Sequence, residues 1–70
     1  MKLKTLDTVA LLEDIPEHGL SRGQVGTIVE QWQEGVWEVE FDTQKGTPVF
    51  VAIKEEALLR LEMKITVNFD

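Results

Sequence analysis

Short segments rich in β-branched and aromatic residues, separated by turn-forming residues, run through most of this sequence. At 36–41, Trp37, Val39 and Phe41 alternate with Glu38 and Glu40. Successive side chains of a strand point to opposite faces, so this pattern predicts a strand with one buried face. Several such segments with intervening turn signals predict an all-β fold, a small barrel of about five strands. The predicted strands cover residues 8–12, 25–32, 36–41, 49–53 and 58–61, with one helical turn at 54–57.

The segment between the first two predicted strands carries the strongest turn signals. Pro16 lacks a backbone N–H, which predicts the end of the first strand. Gly19 and Gly23 predict a folded-back loop in which both glycines take positive φ. Leu20 lies between them and is expected to anchor this loop on the core. Gly26, inside the second strand, predicts a bulge or a close approach of two backbones.

Size and charge limit the classes of protein that this sequence fits. Its 70 residues, without a cysteine, predict a single domain over 1–70 with neither a disulfide nor a thiolate metal site. Thirteen acidic and seven scattered basic residues give a net charge of −6, which disfavours binding to nucleic acid or to an anionic membrane. No apolar run approaches the ~20 residues that span a bilayer, and no secretory pattern is recognisable. We therefore expect a cytoplasmic protein.

The residues available for catalysis are few. His18 is the single histidine and Ser21 the single serine, with Asp14 and Glu17 nearby in the same loop. A nucleophile and its base need an orienting acid and an oxyanion donor in a water-excluding cleft, which an exposed loop does not supply reliably. A stable metal site needs three or four preorganised ligands. We therefore predict a protein that is not an enzyme and binds no metal or cofactor.

Two tryptophans and three glutamates are further candidates for recognition, beside the loop around residues 18–22 and the C-terminal segment. Trp37 shares a strand face with apolar residues, so we expect it in the core. Trp32 lies at the end of a predicted hairpin and is the better candidate for an exposed contact. An acidic face with Glu30, Glu38 and Glu40 is expected to suit a basic partner.

Residues 61–70 alternate apolar and polar side chains without exception. Strict alternation predicts a strand with one buried face, and the five-strand barrel closes near residue 61. Residues 62–70 are therefore predicted to form an additional or extended edge strand. Two alternatives remain for its partner: residues 2–6 of the same molecule, or another chain, by β-strand addition or in a swapped dimer. Its apolar side chains after the barrel are Met63, Ile65, Val67 and Phe69.

The order of a strand, a long glycine-bearing loop, a three-strand meander, a helical turn and a closing strand resembles SH3-like barrels. More closely, residues 7–20, residues 22–29, the Glu-Val-Glu-Phe segment at 38–41 and the region around 57–59 resemble an uncharacterised bacterial family of small SH3-like proteins, a domain of unknown function. The resemblance covers roughly residues 6–61. It implies no established activity, and it suggests an accessory or partner-binding role by analogy.

We therefore predict a non-enzymatic protein-interaction module that self-associates or binds a protein encoded with it, in the manner of an antitoxin or immunity protein. One alternative is an RNA-binding module of translation or transcription, which the net charge opposes. Another is a structural accessory subunit of an enzyme. The predicted partner contacts are His18, Leu20, Arg22, Trp32, Met63, Ile65, Val67 and Phe69.

Overall fold

A computed structural model describes residues 2–43 and 46–62 of the chain. These residues form five β-strands and two three-residue 3₁₀ turns. No helix among them is long and apolar enough to cross a membrane. In chain order the elements are β1 (Thr8–Leu11), the first 3₁₀ turn (Pro16–His18), β2 (Val25–Gln33), β3 (Val36–Phe41), β4 (Val49–Lys54), the second 3₁₀ turn (Glu55–Ala57) and β5 (Leu58–Leu61).

The strands form one antiparallel sheet in the order β4-β3-β2-β1-β5. The predicted all-β class and the five strands are confirmed, and the sheet is open, with β4 and β5 as its edges in the described part of the chain. The observed strand bounds differ from the predicted ones by at most one residue. β1 ends at Leu11, one residue earlier than predicted, although the Leu12 N–H still donates to the Ala57 carbonyl at 2.8 Å and so continues the register with β5.

One face of the sheet carries the hydrophobic core. Trp37, Val39 and Phe41 of β3 are buried on this face, as their alternation predicts. Burying a large apolar side chain is worth about 1.5–3 kcal/mol, so every strand that contributes to this face helps to hold the sheet together. The complete buried apolar set of the described residues is Leu3, Val9, Leu11, Leu20, Ile28, Trp37, Val39, Phe41, Val51, Ile53, Ala57 and Leu58.

Gly26 marks a close approach between β2 and β3, one of the two predicted alternatives. A Cβ atom at this position would lie 2.8 Å from the Glu40 carbonyl oxygen and 2.8 Å from two ring carbons of Phe41. Ordinary contacts between carbon atoms are about 3.5–4.0 Å, so only glycine fits here without a shift of its neighbours.

Two irregularities in the pairing of β2 with β3 bend this hairpin. The register shifts once between Ile28 and Glu30 and again between Gln31 and Gln33. Each shift leaves one β2 residue without a directly opposite partner, Val29 in the first case and Trp32 in the second. Bulges of this kind increase the local twist and change the direction of a side chain.

The loop between β1 and β2 is fixed at both ends of its turn. Ile15 and Leu20 form an isolated bridge, and Leu20 is buried in the core, so the predicted anchor is confirmed. Gly19 and Gly23 have φ of 68° and 89°, again as predicted, and Gly19 ends the first 3₁₀ turn. The loop therefore presents its exposed residues on a defined backbone.

The segment before β1 forms a turn rather than a strand. Asp7 is buried; its carboxylate accepts the Lys4 N–H at 3.0 Å and lies 3.6 Å from the Arg60 guanidinium. Leu6 is exposed and is the one non-glycine residue of the described chain with positive φ, 74°. No paired strand is present at residues 2–6, and the tail at 63–70 lies outside the described residues.

Candidate protein-interaction surface

The outer face of β2, β3 and β4 gathers acidic and aromatic side chains. The register places Glu40 of β3 opposite Phe50 of β4, and Glu38 opposite Glu30 of β2. The β3 glutamates point away from the core because their neighbours along the strand point into it. We call this surface the acidic face and define it by Glu30, Trp32, Glu38, Glu40 and Phe50.

Trp32 is the most exposed aromatic side chain of the acidic face, at 62 % relative exposure. It occupies the second β2 bulge, and its indole Nε1 donates to the Glu38 carboxylate at 3.1 Å. This hydrogen bond fixes the ring beside a negative charge and leaves its apolar surface in solvent. Tryptophan is enriched at the energetic centres of protein interfaces, so this exposed position suits a contact residue.

Glu30 and Glu38 form a directly opposed pair of like charges on adjacent strands. Directly opposed side chains have Cβ atoms only about 4.5–5.5 Å apart, and like charges at that separation destabilise a sheet by up to about 1 kcal/mol. No basic residue of β2 or β3 lies between them, because the charged residues of these two strands are all glutamates. A cation placed over the pair would remove this repulsion.

The β1–β2 loop divides its predicted contact residues between solvent and core. His18 and Arg22 are exposed, whereas Leu20 is 3 % exposed and does not present its side chain to a partner. Asp14 accepts the Arg22 backbone N–H at 2.7 Å through its Oδ1 atom, which ties the two sides of the loop together. Nowhere in residues 2–43 and 46–62 do three or more histidine, cysteine or carboxylate groups come together as metal ligands would.

A cleft of about 220 Å³ separates this loop from β4. Sequence patterns alone did not predict that these two regions lie side by side, because β4 is distant from the loop along the chain. The spacing of the apolar residues of β4 predicts a strand but gives no indication of which strand will form the sheet edge. The cleft is lined on one side by Glu13, Asp14, Ile15, Glu17 and His18, and on the other by Val51, Ala52, Ile53, Lys54 and Ala57.

A second cleft, of about 280 Å³, lies at the hairpin end of the sheet, beside Trp37. Trp37 is 6 % exposed, and its indole Nε1 has no hydrogen-bond partner within the described residues. A buried donor without a partner costs about 1–3 kcal/mol, which marks this end of the core as suboptimal for stability. Lys2, Gln31, Glu34 and Glu55 supply the polar part of the lining.

An apolar strip lies on the same outer surface, towards the β5 edge. Ala10 of β1 has Val25 of β2 opposite on one side and Leu59 of β5 opposite on the other. Val25 and Leu59 are about half exposed, and Leu12 is 43 % exposed. The adjacent leucines at 11 and 12 carry a sequence signal that could have indicated this strip, since consecutive residues of an extended chain face opposite sides and one of the two must point outward. The predicted contacts Met63, Ile65, Val67 and Phe69 lie outside the described residues.

Together, these features define a small all-β domain with one open antiparallel sheet, an anchored loop and an acidic outer face. The chain belongs to the family described as Domain of unknown function (DUF4926), whose model matches residues 5–59. The match spans all five strands except the end of β5. No curated protein matches the chain. No solved structure matches it either.

Proposed function

We propose that this chain is a non-enzymatic protein-interaction module of the bacterial cytoplasm that binds a basic protein partner through the acidic face. The observation that carries the proposal is the opposed pair Glu30 and Glu38 beside the exposed indole of Trp32. We further propose that the domain is an SH3-like barrel. The strand order β4-β3-β2-β1-β5 and the 3₁₀ turn immediately before β5 support this assignment.

In the free protein, the acidic face carries a cost in free energy. Two carboxylates held opposite each other repel. A large aromatic ring in water also lacks the favourable free energy that its burial would provide. Both costs are removed when a partner places a lysine or arginine over the carboxylates and an apolar surface over the ring. Electrostatic complementarity of this kind increases the association rate and excludes acidic competitors.

The net charge of −6 gives the whole domain the same preference for a basic partner. It favours a basic protein over RNA, because three glutamates on one face repel a phosphate backbone. An antitoxin-like or immunity-like protein and an accessory subunit of an enzyme both fit this mode of binding. Self-association through the C-terminal strand remains a separate proposal, since it uses a different part of the chain.

The first test is a pull-down from bacterial lysate with tagged full-length protein, Trp32→Ala, Glu30→Gln and a version that ends at residue 62. We expect one basic protein that the full chain retains and that Trp32→Ala loses, with an affinity decrease of roughly 30-fold or more for an interface tryptophan. Glu34→Gln serves as the matched control, because Glu34 is an exposed glutamate in the hairpin turn rather than on the acidic face.

Glu30→Gln provides a second readout, because it should change partner binding and the stability of the free domain in opposite directions. We expect it to weaken partner binding but to stabilise the free domain by up to about 1 kcal/mol, because it removes the repulsion from Glu38. High salt should stabilise the native sequence more than this variant. Retention of the same partner by Trp32→Ala and Glu30→Gln at unchanged affinity would contradict the proposal, as would capture of RNA alone.

A further inference from the structure

β4 is an edge strand with one paired and one unpaired side in the described part of the chain. It pairs with β3 over its whole length, from Val49 to Lys54, and no other described strand lies beside it. A strand edge of this kind presents a row of backbone N–H and C=O groups that can pair with an additional strand.

The cleft beside the β1–β2 loop runs along this unpaired side. Its lining includes four consecutive β4 residues, from Val51 to Lys54. Consecutive strand residues point alternately to the two faces of a sheet. A cleft that contacts all four therefore follows the backbone edge of β4 rather than one of its faces.

The opposite wall of the cleft is acidic and held in position. Glu13, Asp14 and Glu17 line it together with His18, and Lys54 on the β4 side is the one lysine among the described residues that line the cleft. The hydrogen bond from the Arg22 N–H to Asp14 and the bridge between Ile15 and Leu20 hold this wall in a fixed conformation. A ligand strand that enters the cleft pays little to order the loop, because the loop is already ordered.

We propose that an extended, lysine- or arginine-rich segment of the partner adds to the β4 edge as a sixth strand, with its basic side chains directed at Glu13 and Glu17. This inference rests on the proposed function and specifies the mode of binding. Backbone pairing with β4 supplies affinity, and the carboxylates of the loop select for a basic sequence.

Charge distinguishes this occupant from the two others that the chain itself offers. A second copy carries a net charge of −6 and would meet an acidic wall. The tail of the same chain, residues 62–70, contains one lysine against Glu62 and Asp70. Neither offers the positive charge that the wall of the cleft attracts, whereas a basic segment of another protein does.

The test uses the full-length protein and three synthetic eight-residue probes. The first alternates lysine and valine, the second alternates glutamate and valine, and the third repeats the first with N-methyl groups on alternate backbone nitrogens. N-methylation preserves charge but removes backbone donors. Affinity is measured by fluorescence anisotropy, and the binding site is located from backbone amide shifts in NMR spectra.

We expect the lysine–valine probe to bind, to shift the amides of residues 51–54 and 13–18, and to slow hydrogen exchange along β4. The N-methylated probe should bind at least 10-fold more weakly, and the glutamate–valine probe should not bind. Glu13→Gln with Glu17→Gln should weaken the first probe several-fold at low salt. Glu34→Gln with Glu62→Gln is the control, because it removes the same charge from exposed glutamates outside the cleft.

Several outcomes would overturn the inference. Equal affinity for the methylated and unmethylated probes would mean that charge alone attracts the peptide. Binding that appears only in a chain ending at residue 62 would mean that the tail occupies the edge. If no probe shifts β4 while Trp32→Ala still abolishes partner capture, strand addition is wrong and the proposed function stands. If partner capture is also insensitive to Trp32→Ala, the proposed function fails as well.

Discussion

Replacement of Gly26 by alanine tests how tightly β2 and β3 pack. The added Cβ atom would lie 2.8 Å from the Glu40 carbonyl oxygen and from two ring carbons of Phe41. Against ordinary contacts of about 3.5–4.0 Å, each approach is too short by roughly 1 Å. Neither neighbour can yield easily, because the oxygen belongs to the backbone and the Phe41 side chain is completely buried.

Overpacking of a closely packed core costs about 1–3 kcal/mol, and three simultaneous short contacts place Gly26→Ala near the upper end. A domain of this size has roughly 3–5 kcal/mol of stability in total. At about 4–8 °C for each kcal/mol, a loss of about 3 kcal/mol lowers the Tm by roughly 12–24 °C. Urea unfolding followed by tryptophan fluorescence measures the same loss as a shift of the midpoint.

Gly19→Ala is the matched control, because it adds the same methyl group without a short contact. Gly19 has φ of 68°, and an added Cβ atom there would meet nothing within 4 Å, so only the backbone cost of about 1–2 kcal/mol applies. The double variant Gly26→Ala with Phe41→Leu tests whether the contact with Phe41 causes the destabilisation. Phe41→Leu should offset part of the stability loss of Gly26→Ala, with a coupling energy of about 1 kcal/mol in the double-mutant cycle. A smaller cost for Gly26→Ala than for Gly19→Ala, or strict additivity with Phe41→Leu, would refute the argument.

Two further predictions concern the turn before β1. Asp7→Ala should destabilise the domain by about 1–3 kcal/mol in urea unfolding, because the Lys4 N–H loses its acceptor and the Arg60 guanidinium loses its ion-pair partner. Asp7→Asn should cost less, since it keeps an oxygen acceptor; equal costs would show that the hydrogen bond to Lys4 contributes nothing. Leu6→Gly should raise the Tm, because relief of positive φ gains about 1–2 kcal/mol against roughly 0.5–1 kcal/mol of lost backbone entropy. A lower Tm would mean that the Leu6 side chain makes a stabilising contact despite its 80 % exposure.

The local features of this fold follow from short-range patterns in the sequence. Alternation at 36–41 predicts the buried side of β3, and the glycines at 19 and 23 predict the conformation of the loop. These predictions succeed because period-two burial and positive φ act over a few residues.

The candidate site depended on long-range arrangement, and the sequence indicated it only in part. Trp32 was the better candidate of the two tryptophans for an exposed contact because of its position at a hairpin end, and the structure places it in solvent. The opposition of Glu30 and Glu38 arises from a β-bulge, which shifts the register by one residue and has no strong sequence signal. The cleft between the β1–β2 loop and β4 requires the strand order, which local patterns do not specify.

The two bulges in β2 also determine where the chain can turn. If the pairing of Ile28 with Val39 continued without a shift, the tip of the hairpin would fall at residues 33–34. The two extra residues, Val29 and Trp32, move the tip to residues 34–35, where Gly35 takes φ of 78°. The hairpin can therefore gain or lose a residue in β2 while β3 keeps its inward side chains on the core. We therefore expect a one-residue insertion or deletion in this chain to be tolerated best in the arm of the hairpin that carries Trp32.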